Sequence, residues 1–319
     1  MRKFALLCPG QGGQNEHLFS LASTNDVAAA LLAKMDAQHS FGLPLQQILN
    51  SPGQMFDNQF AQPLIVAASL VNWIALCSQS EGQLPAPELI AGYSIGEISA
   101  HAISGEISVE EAVNLAHIRA QAMQACIEPN AAQRMMAVSG IHLDILAPFC
   151  QQQRLHIAIV TGDSNAIIAG LNADILVAEQ ILRTHPLRQL HLSVLPVHIA
   201  SHTPLMDNAL PALKQALNNL AWHKPLAPVV AGVNAMKMMD SVSSKQSLLA
   251  QMTQAIRWHE CMDTLHEAGI QVVLELGPGA ALSRMLQARH PHIACRSVAD
   301  FRRWSAVTEW VKRQMLADE

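Results

Sequence analysis

The five residues Gly92-Tyr93-Ser94-Ile95-Gly96 fit G-x-S-x-G, the pattern of a nucleophile elbow. Their setting suits it. Residues 88–92 read as a short buried strand, and a helix is expected to run from just after Ser94 to about Ile103. A serine on so tight a turn has a strained backbone and projects its hydroxyl outward. The flanking glycines let strand and helix approach, and the helix N-terminus aims free N–H groups at a developing oxyanion. The plain alternative is a glycine-rich turn with an ordinary N-cap serine.

A nucleophilic serine needs a base. Of the 15 histidines, His198 and His202 follow a predicted strand, where a turn can present a side chain. His202, in Ser201-His202-Thr203-Pro204-Leu205-Met206 at the start of a new helix, is the stronger choice. Asp207, one turn on, either orients the imidazole or is a helix-surface acid. Near the N-terminus an apolar run ends in Pro9-Gly10-Gln11-Gly12-Gly13-Gln14. This loop lacks the Lys-Ser/Thr of a phosphate loop and the spacing of a dinucleotide fingerprint. It is read as a loop whose backbone N–H completes an oxyanion hole. Arg119 lies on an apolar helix face with Ala116, Ala120 and Met123. A guanidinium there needs an anion, and a planar carboxylate can meet it in bidentate fashion; an ordinary structural ion pair is the alternative.

The elements that must position these residues alternate. Strands are expected at 4–8, 88–92, 228–233 and 271–276, and helices at 61–78, 109–126, 205–217, 245–268 and 299–317. Such alternation implies a parallel-sheet α/β core. Between about 130 and 199 the pattern changes to strand 134–141, helix 143–153, strands 155–161 and 166–170, helix 173–184 and strand 190–198. That βαββαβ order is ferredoxin-like and reads as an inserted subdomain, 130–199, within a main domain of 1–129 and 200–319. Half of the 319 residues are hydrophobic and only 14% are charged, so a large core is affordable. The net charge of -5 argues against general nucleic-acid binding. No stretch reaches the roughly 18 unbroken apolar residues of a membrane span. The six cysteines form no C-x-x-C pair and do not cluster with histidines, so no metal is expected and reduced thiols in a cytoplasmic protein are.

Five segments occur in order: Pro9-Gly10-Gln11-Gly12, Gly92-Tyr93-Ser94-Ile95-Gly96-Glu97, Arg119-Ala120-Gln121-Ala122-Met123, Ser201-His202-Thr203-Pro204-Leu205-Met206 and Glu275-Leu276-Gly277-Pro278-Gly279. Together they closely resemble the malonyl-CoA:acyl carrier protein transacylases and the acyltransferase domains of polyketide synthases. The resemblance covers nearly the whole chain. It implies a hydrolase-like α/β domain with a ferredoxin-like insertion. It implies transfer of a malonyl group from coenzyme A to an acyl carrier protein, with no permanently bound cofactor. It gives Ser94 the acyl group, His202 the role of base, and the N–H groups of Gln11 and Ile95 the oxyanion hole. Arg119 matches the arginine that pairs with the malonyl carboxylate, Gln62 a glutamine lining the acyl pocket, and Gln251 the residue whose carbonyl orients the histidine.

Tyr93 stands where the family usually has His, and Ile199-Ala200-Ser201-His202 resembles the variant found with branched extenders. The insertion's asparagine-rich strand is unmatched at 158–163, and an expected basic residue falls near Arg188 or His191. The Cys-Pro-Gly-Gln-Gly-Gly start resembles the branch that serves malonate decarboxylase. Two other readings are a serine hydrolase or thioesterase on the same scaffold, which would want a triad acid and no Arg119, and a silent carrier-docking module. An acidic carrier predicts a basic patch at the site mouth, from Arg134, Arg154, Arg183, Arg188 and Lys237. A monomer or a subunit of a multi-enzyme assembly is expected.

Overall fold

The computed structural model describes residues 2–80, 82–184 and 190–317. Six strands form the larger sheet: β1 (Lys3–Cys8), β2 (Leu89–Gly92), β7 (Val229–Val230), β8 (Lys237–Met238), β10 (Ile270–Glu275) and β11 (Ala294–Ser297). Their spatial order is β11-β10-β1-β2-β7-β8. All neighbours are parallel except the antiparallel pair β7–β8.

The central strands are apolar without alternation because both faces are covered. In β1, Phe4, Leu6 and Cys8 join one core cluster while Ala5 and Leu7 join the other, the two-residue period of a strand. The first face carries α1 (Asp26–Ala37), the short helices α2 (Leu45–Leu49) and α3 (Pro52–Phe56), α4 (Asn58–Ser80), α5 (Gly96–Ile103), α6 (Val109–Gln124), α9 (Leu210–Asn219), α10 (Ser241–Thr253) and α13 (Trp304–Leu316). The second face is covered by α11 (Trp258–Glu267) and α12 (Ala281–Arg289). Helix α4 is long and apolar enough to cross a membrane, yet 83% of that stretch is buried inside the fold. Its Leu64, Ile65, Leu70 and Leu76 are sealed from solvent, each a contribution of roughly 1.5–3 kcal/mol.

The second sheet holds β3 (Gln133–Ser139), β4 (His156–Gly162), β5 (Asn165–Leu171), β6 (His191–Val194) and β9 (Ile256–Arg257), in the order β6-β3-β5-β4-β9. Its first four strands pair antiparallel, with α7 (Leu143–Gln152) and α8 (Asn172–Arg183) packed on one face through Leu146, Cys150, Ile175 and Leu182. That is the ferredoxin-like arrangement.

Some expected elements differ. The helix expected over 245–268 is two helices, α10 and α11, split by β9. Ile256 and Arg257 pair in parallel with Ile159 and Val160 of β4, so a tertiary pairing overrides the local helical pattern. The strand expected over 190–198 ends at Val194, just ahead of Pro196, which has no N–H for a ladder. Helix α4 starts at Asn58, so Pro63 falls inside its second turn instead of its first. The segment expected as helix 205–217 opens as a 3₁₀ turn, Pro204–Ala209, before α9.

Candidate active site

Strands β10, β1 and β2 are neighbours in the larger sheet, and their carboxyl ends open on one place. The loops that leave them, at residues 277–280, 9–13 and 93–95, frame one side of a 340 Å³ cleft. Clefts at the carboxyl ends of parallel strands are where α/β sheets bind ligands. The smaller sheet closes the other side with Met135, Ile159 and Ile167 from β3, β4 and β5, followed by Leu195 and Val197. Ser94 and His202 both face this space.

Ser94 has φ = 55°, in the left-handed region that costs a side chain strain. The turn is held by close approach on both sides. A Cβ on Gly92 would lie 2.3 Å from Glu97 Cα, and one on Gly96 would lie 2.1 Å from the Cys8 carbonyl oxygen. Only glycine fits either position. The strain aims Ser94 Oγ at His202 Nε2, 2.8 Å away.

His202 reaches the serine from a separate piece of chain. It also has positive φ, 63°, in the turn where Thr203 caps the following 3₁₀ segment and Pro204 starts it. Its Nδ1 bonds the backbone carbonyl of Gln251, at the end of α10. A carbonyl only accepts, so Nδ1 carries the proton and Nε2 offers a lone pair to the serine hydroxyl. Burial pushes the imidazole pKa down to about 3, the nearby Arg119 charge pushes the same way, and the Gln251 carbonyl opposes both. The imidazole is therefore neutral at pH 7 and able to accept a proton. Asp207 does not serve as the orienting acid; the carbonyl does. His198 lines a different hollow, with Pro52, Phe56 and Asp57, so only one of the two histidine candidates faces the serine.

Two N–H groups on the loops that frame the cleft are free. Among the described residues neither Gln11 N–H nor Ile95 N–H has an acceptor, whereas Gly12 N–H is taken by Gln14 Oε1 at 2.7 Å. Gln11 lines the cleft, and Ile95 is the N-cap of α5. Free donors at a helix N-terminus suit an anionic oxygen.

Arg119 is 2% exposed. Its Nη1 donates to Gln62 Oε1 at 2.6 Å, and its Nη2 has no partner. Gln62 is fixed in turn by donating to Asn58 Oδ1 at 2.6 Å. Burial lowers the Arg119 pKa to about 10, with Glu97 pulling it back up, so the guanidinium stays charged at neutral pH. Neither Arg119, Gln62 nor the Gln251 side chain forms part of the cleft wall itself. The Gln251 amide is also buried without a partner.

A basic patch is expected to surround the mouth, from Arg134, Arg154, Arg183, Arg188 and Lys237. None of Arg134, Arg154, Arg183 or Lys237 lines the cleft itself. Arg154 is held by Asp174 at 2.6 Å and Arg183 by Glu179 at 2.5 Å. Arg188 lies outside the described residues. The arginine on the cleft wall is Arg284, on α12. Sequence reasoning missed it, as it missed Asn58 and the buried Glu97. Glu97 was legible only as the residue that closes the elbow motif.

Comparison with known proteins agrees with this geometry. Residues 5–314 match the acyl transferase domain family. The malonyl CoA-acyl carrier protein transacylase of Mycobacterium tuberculosis (strain ATCC 25618 / H37Rv) is 30% identical over 297 residues, which is 92% of this chain and 95% of that protein. The crystal structure of FabD from Acinetobacter baumannii superposes with a TM-score of 0.87 at 27% identity, covering 98% of both chains. An acyl carrier protein S-malonyltransferase from Vibrio cholerae superposes with a TM-score of 0.85 at 27% identity, over 96% of this chain and 99% of that one. With a strained serine paired to a carbonyl-held histidine on this fold, the chain belongs to the acyl transferase domain family.

Proposed function

We propose that this protein transfers a malonyl group from malonyl-CoA to the phosphopantetheine thiol of an acyl carrier protein. Ser94 Oγ attacks the thioester carbonyl while its proton passes to His202 Nε2. The oxyanion rests on the N–H groups of Gln11 and Ile95. The imidazolium then protonates the departing coenzyme A sulfur, which leaves a Ser94 ester. In the second half-reaction neutral His202 takes the proton of the carrier thiol, whose sulfur attacks the ester, and the imidazolium returns that proton to Ser94 Oγ as it leaves. Nucleophile, base and donors all belong to the chain, so no step calls on a resident cofactor. The cytoplasmic location expected from the cysteines suits both substrates.

One observation carries the choice of acyl group. Arg119 is buried and charged, and one of its terminal nitrogens is unsatisfied. An unpaired buried donor is costly, so a ligand carboxylate is the natural complement. Gln62 sets the orientation of that fork, and Gln251 sets the orientation of the base. A hydrolase would want an acid behind the histidine and has no use for this arginine. Intact mass after mixing with malonyl-CoA or acetyl-CoA tests the reading: a stable adduct is expected from malonyl-CoA. Preferential retention of acetyl would refute it.

A further inference from the structure

Among the described residues no acid bonds His202, yet two fully buried carboxyl groups bond the helix that carries its holder. Glu97 follows the elbow directly, and its N–H donates to the Ser94 carbonyl at 3.0 Å. Its side chain is sealed from solvent. Oε1 accepts from Ser247 Oγ at 2.6 Å and Oε2 from Gly232 N–H at 3.0 Å. Glu106, just past α5, is equally buried; its Oε1 accepts from Ser244 Oγ at 2.8 Å. His101 of α5 lies between them: its Nδ1 is 2.5 Å from Glu106, while its Nε2, 4.0 Å from Glu97, makes no hydrogen bond.

Ser244, Ser247 and Gln251 are spaced three and four residues apart on α10, so they share one face of that helix. The two hydroxyls that the acids grip thus belong to the same helix whose C-terminal turn presents the carbonyl that holds His202. Hydrogen bonds between a carboxyl group and a hydroxyl are stronger where they are shielded from water, as both of these are. The Glu97 bond ties α10, which carries the holder of the base, to α5, which the nucleophile precedes, and the Glu106 bond ties α10 to the turn that follows α5.

We propose that Glu97, through Ser247, is a positioning residue that sets the distance between Ser94 and His202, with Glu106 and Ser244 as a second tie on the same face. It replaces the acid of a triad by acting on the helix that presents the Gln251 carbonyl. This rests on Ser94 and His202 being nucleophile and base, and not on which acyl donor they use.

The test is the rate at which a fluorophosphonate probe labels Ser94 in the full chain. The variants are Glu97→Gln, Ser247→Ala and their combination, each made with His202 intact and with His202→Ala. A small misplacement of reacting groups costs on the order of 10²-fold, so each single variant should slow labelling by about 10- to 10²-fold. The double variant should be no slower than the slower single one. With His202→Ala, neither change should slow labelling further, because the effect runs through the imidazole. Should Glu97→Gln fail to fold, Ser247→Ala, which removes one hydroxyl, decides alone. A wild-type rate in Ser247→Ala overturns the proposal, as does equal slowing with and without His202. An unlabelled wild type overturns the nucleophile assignment along with it, whereas a labelled wild type with unaffected variants overturns this proposal only.

Discussion

Gln62 holds Arg119 across two helices. The glutamine of α4 accepts from one terminal guanidinium nitrogen of α6 at 2.6 Å, and the second terminal nitrogen is left buried and free. The fork is oriented before any ligand arrives, which reduces the ordering cost of binding.

Arg119→Ala should therefore remove the preference for a carboxylated acyl group. Breaking one side of a buried charge pair costs roughly 2–5 kcal/mol, which is about 30-fold to several thousand-fold in rate ratio. The ratio of kcat/KM for malonyl-CoA to that for acetyl-CoA should collapse in the variant. Gln62→Leu should shift the ratio in the same direction but less, since the charge remains. Arg119→Lys should rescue poorly, because an ammonium offers no fork. An unchanged ratio in Arg119→Ala would return the arginine to a structural role.

Ser94→Ala should give no acyl adduct by intact mass. His202→Ala should still form one, slowed by on the order of 10²–10⁴-fold, the usual worth of a general base. Losses from the two changes should not multiply, because the residues act as a unit. An adduct on the Ser94→Ala protein would place the nucleophile elsewhere.

The depressed His202 pKa makes stability depend on pH. Between the ordinary histidine value of 6.5 and about 3, the unfolded chain binds a proton at this residue that the folded chain refuses. Stability from this group is complete above pH 6.5 and is lost as pH falls toward 3. At pH 5 the loss should reach about 2 kcal/mol. His202→Gln removes the titration, so denaturant midpoints compared at pH 7 and pH 5 should fall less in that variant. Parallel declines in both proteins would contradict a buried neutral imidazole.

Gly96→Ala should be among the most damaging single-methyl additions in the chain. The new Cβ would meet the Cys8 carbonyl at 2.1 Å, and both partners are backbone of the central sheet and its elbow. A loss of about 3 kcal/mol or more is expected, together with the Ser94 adduct. Gly53→Ala is the control, because nothing lies within 4 Å of its Cβ position. Similar melting temperatures for the two variants would contradict the close packing of the elbow.

The elbow was legible because its physics is local. A buried strand, two glycines and a helix start all lie within Leu89–Ile103, and each leaves its own mark on the sequence. His202 was legible for a similar reason: Thr203 and Pro204 mark a turn that presents it. The choice between a carbonyl and Asp207 as its holder was not local. Chemistry on the residues left it open, and the family resemblance alone pointed to Gln251. Strand β9 was invisible because its two residues pair with a strand almost a hundred positions earlier. The grip of Glu97 on Ser247 spans 150 positions, and a glutamate inside a helical pattern reads as a surface residue until its burial is seen. Arg284 escaped notice because nothing in its helix distinguishes a cleft-facing arginine from a solvated one.

Strand β9 also fastens one sheet to the other's domain. A unit entered near residue 130 and left near 199 could rotate on those two crossings or melt ahead of the rest. Here the backbone of Ile256 and Arg257, between α10 and α11, is the fifth strand of the smaller sheet. Peeling that sheet away strips hydrogen bonds from the segment that directly follows the histidine's carbonyl anchor. Arg257 N–H also bonds the Gly232 carbonyl at 2.7 Å, which carries the disturbance to the edge of the larger sheet. The smaller sheet is therefore tied to the main domain by backbone hydrogen bonds as well as by its two chain crossings.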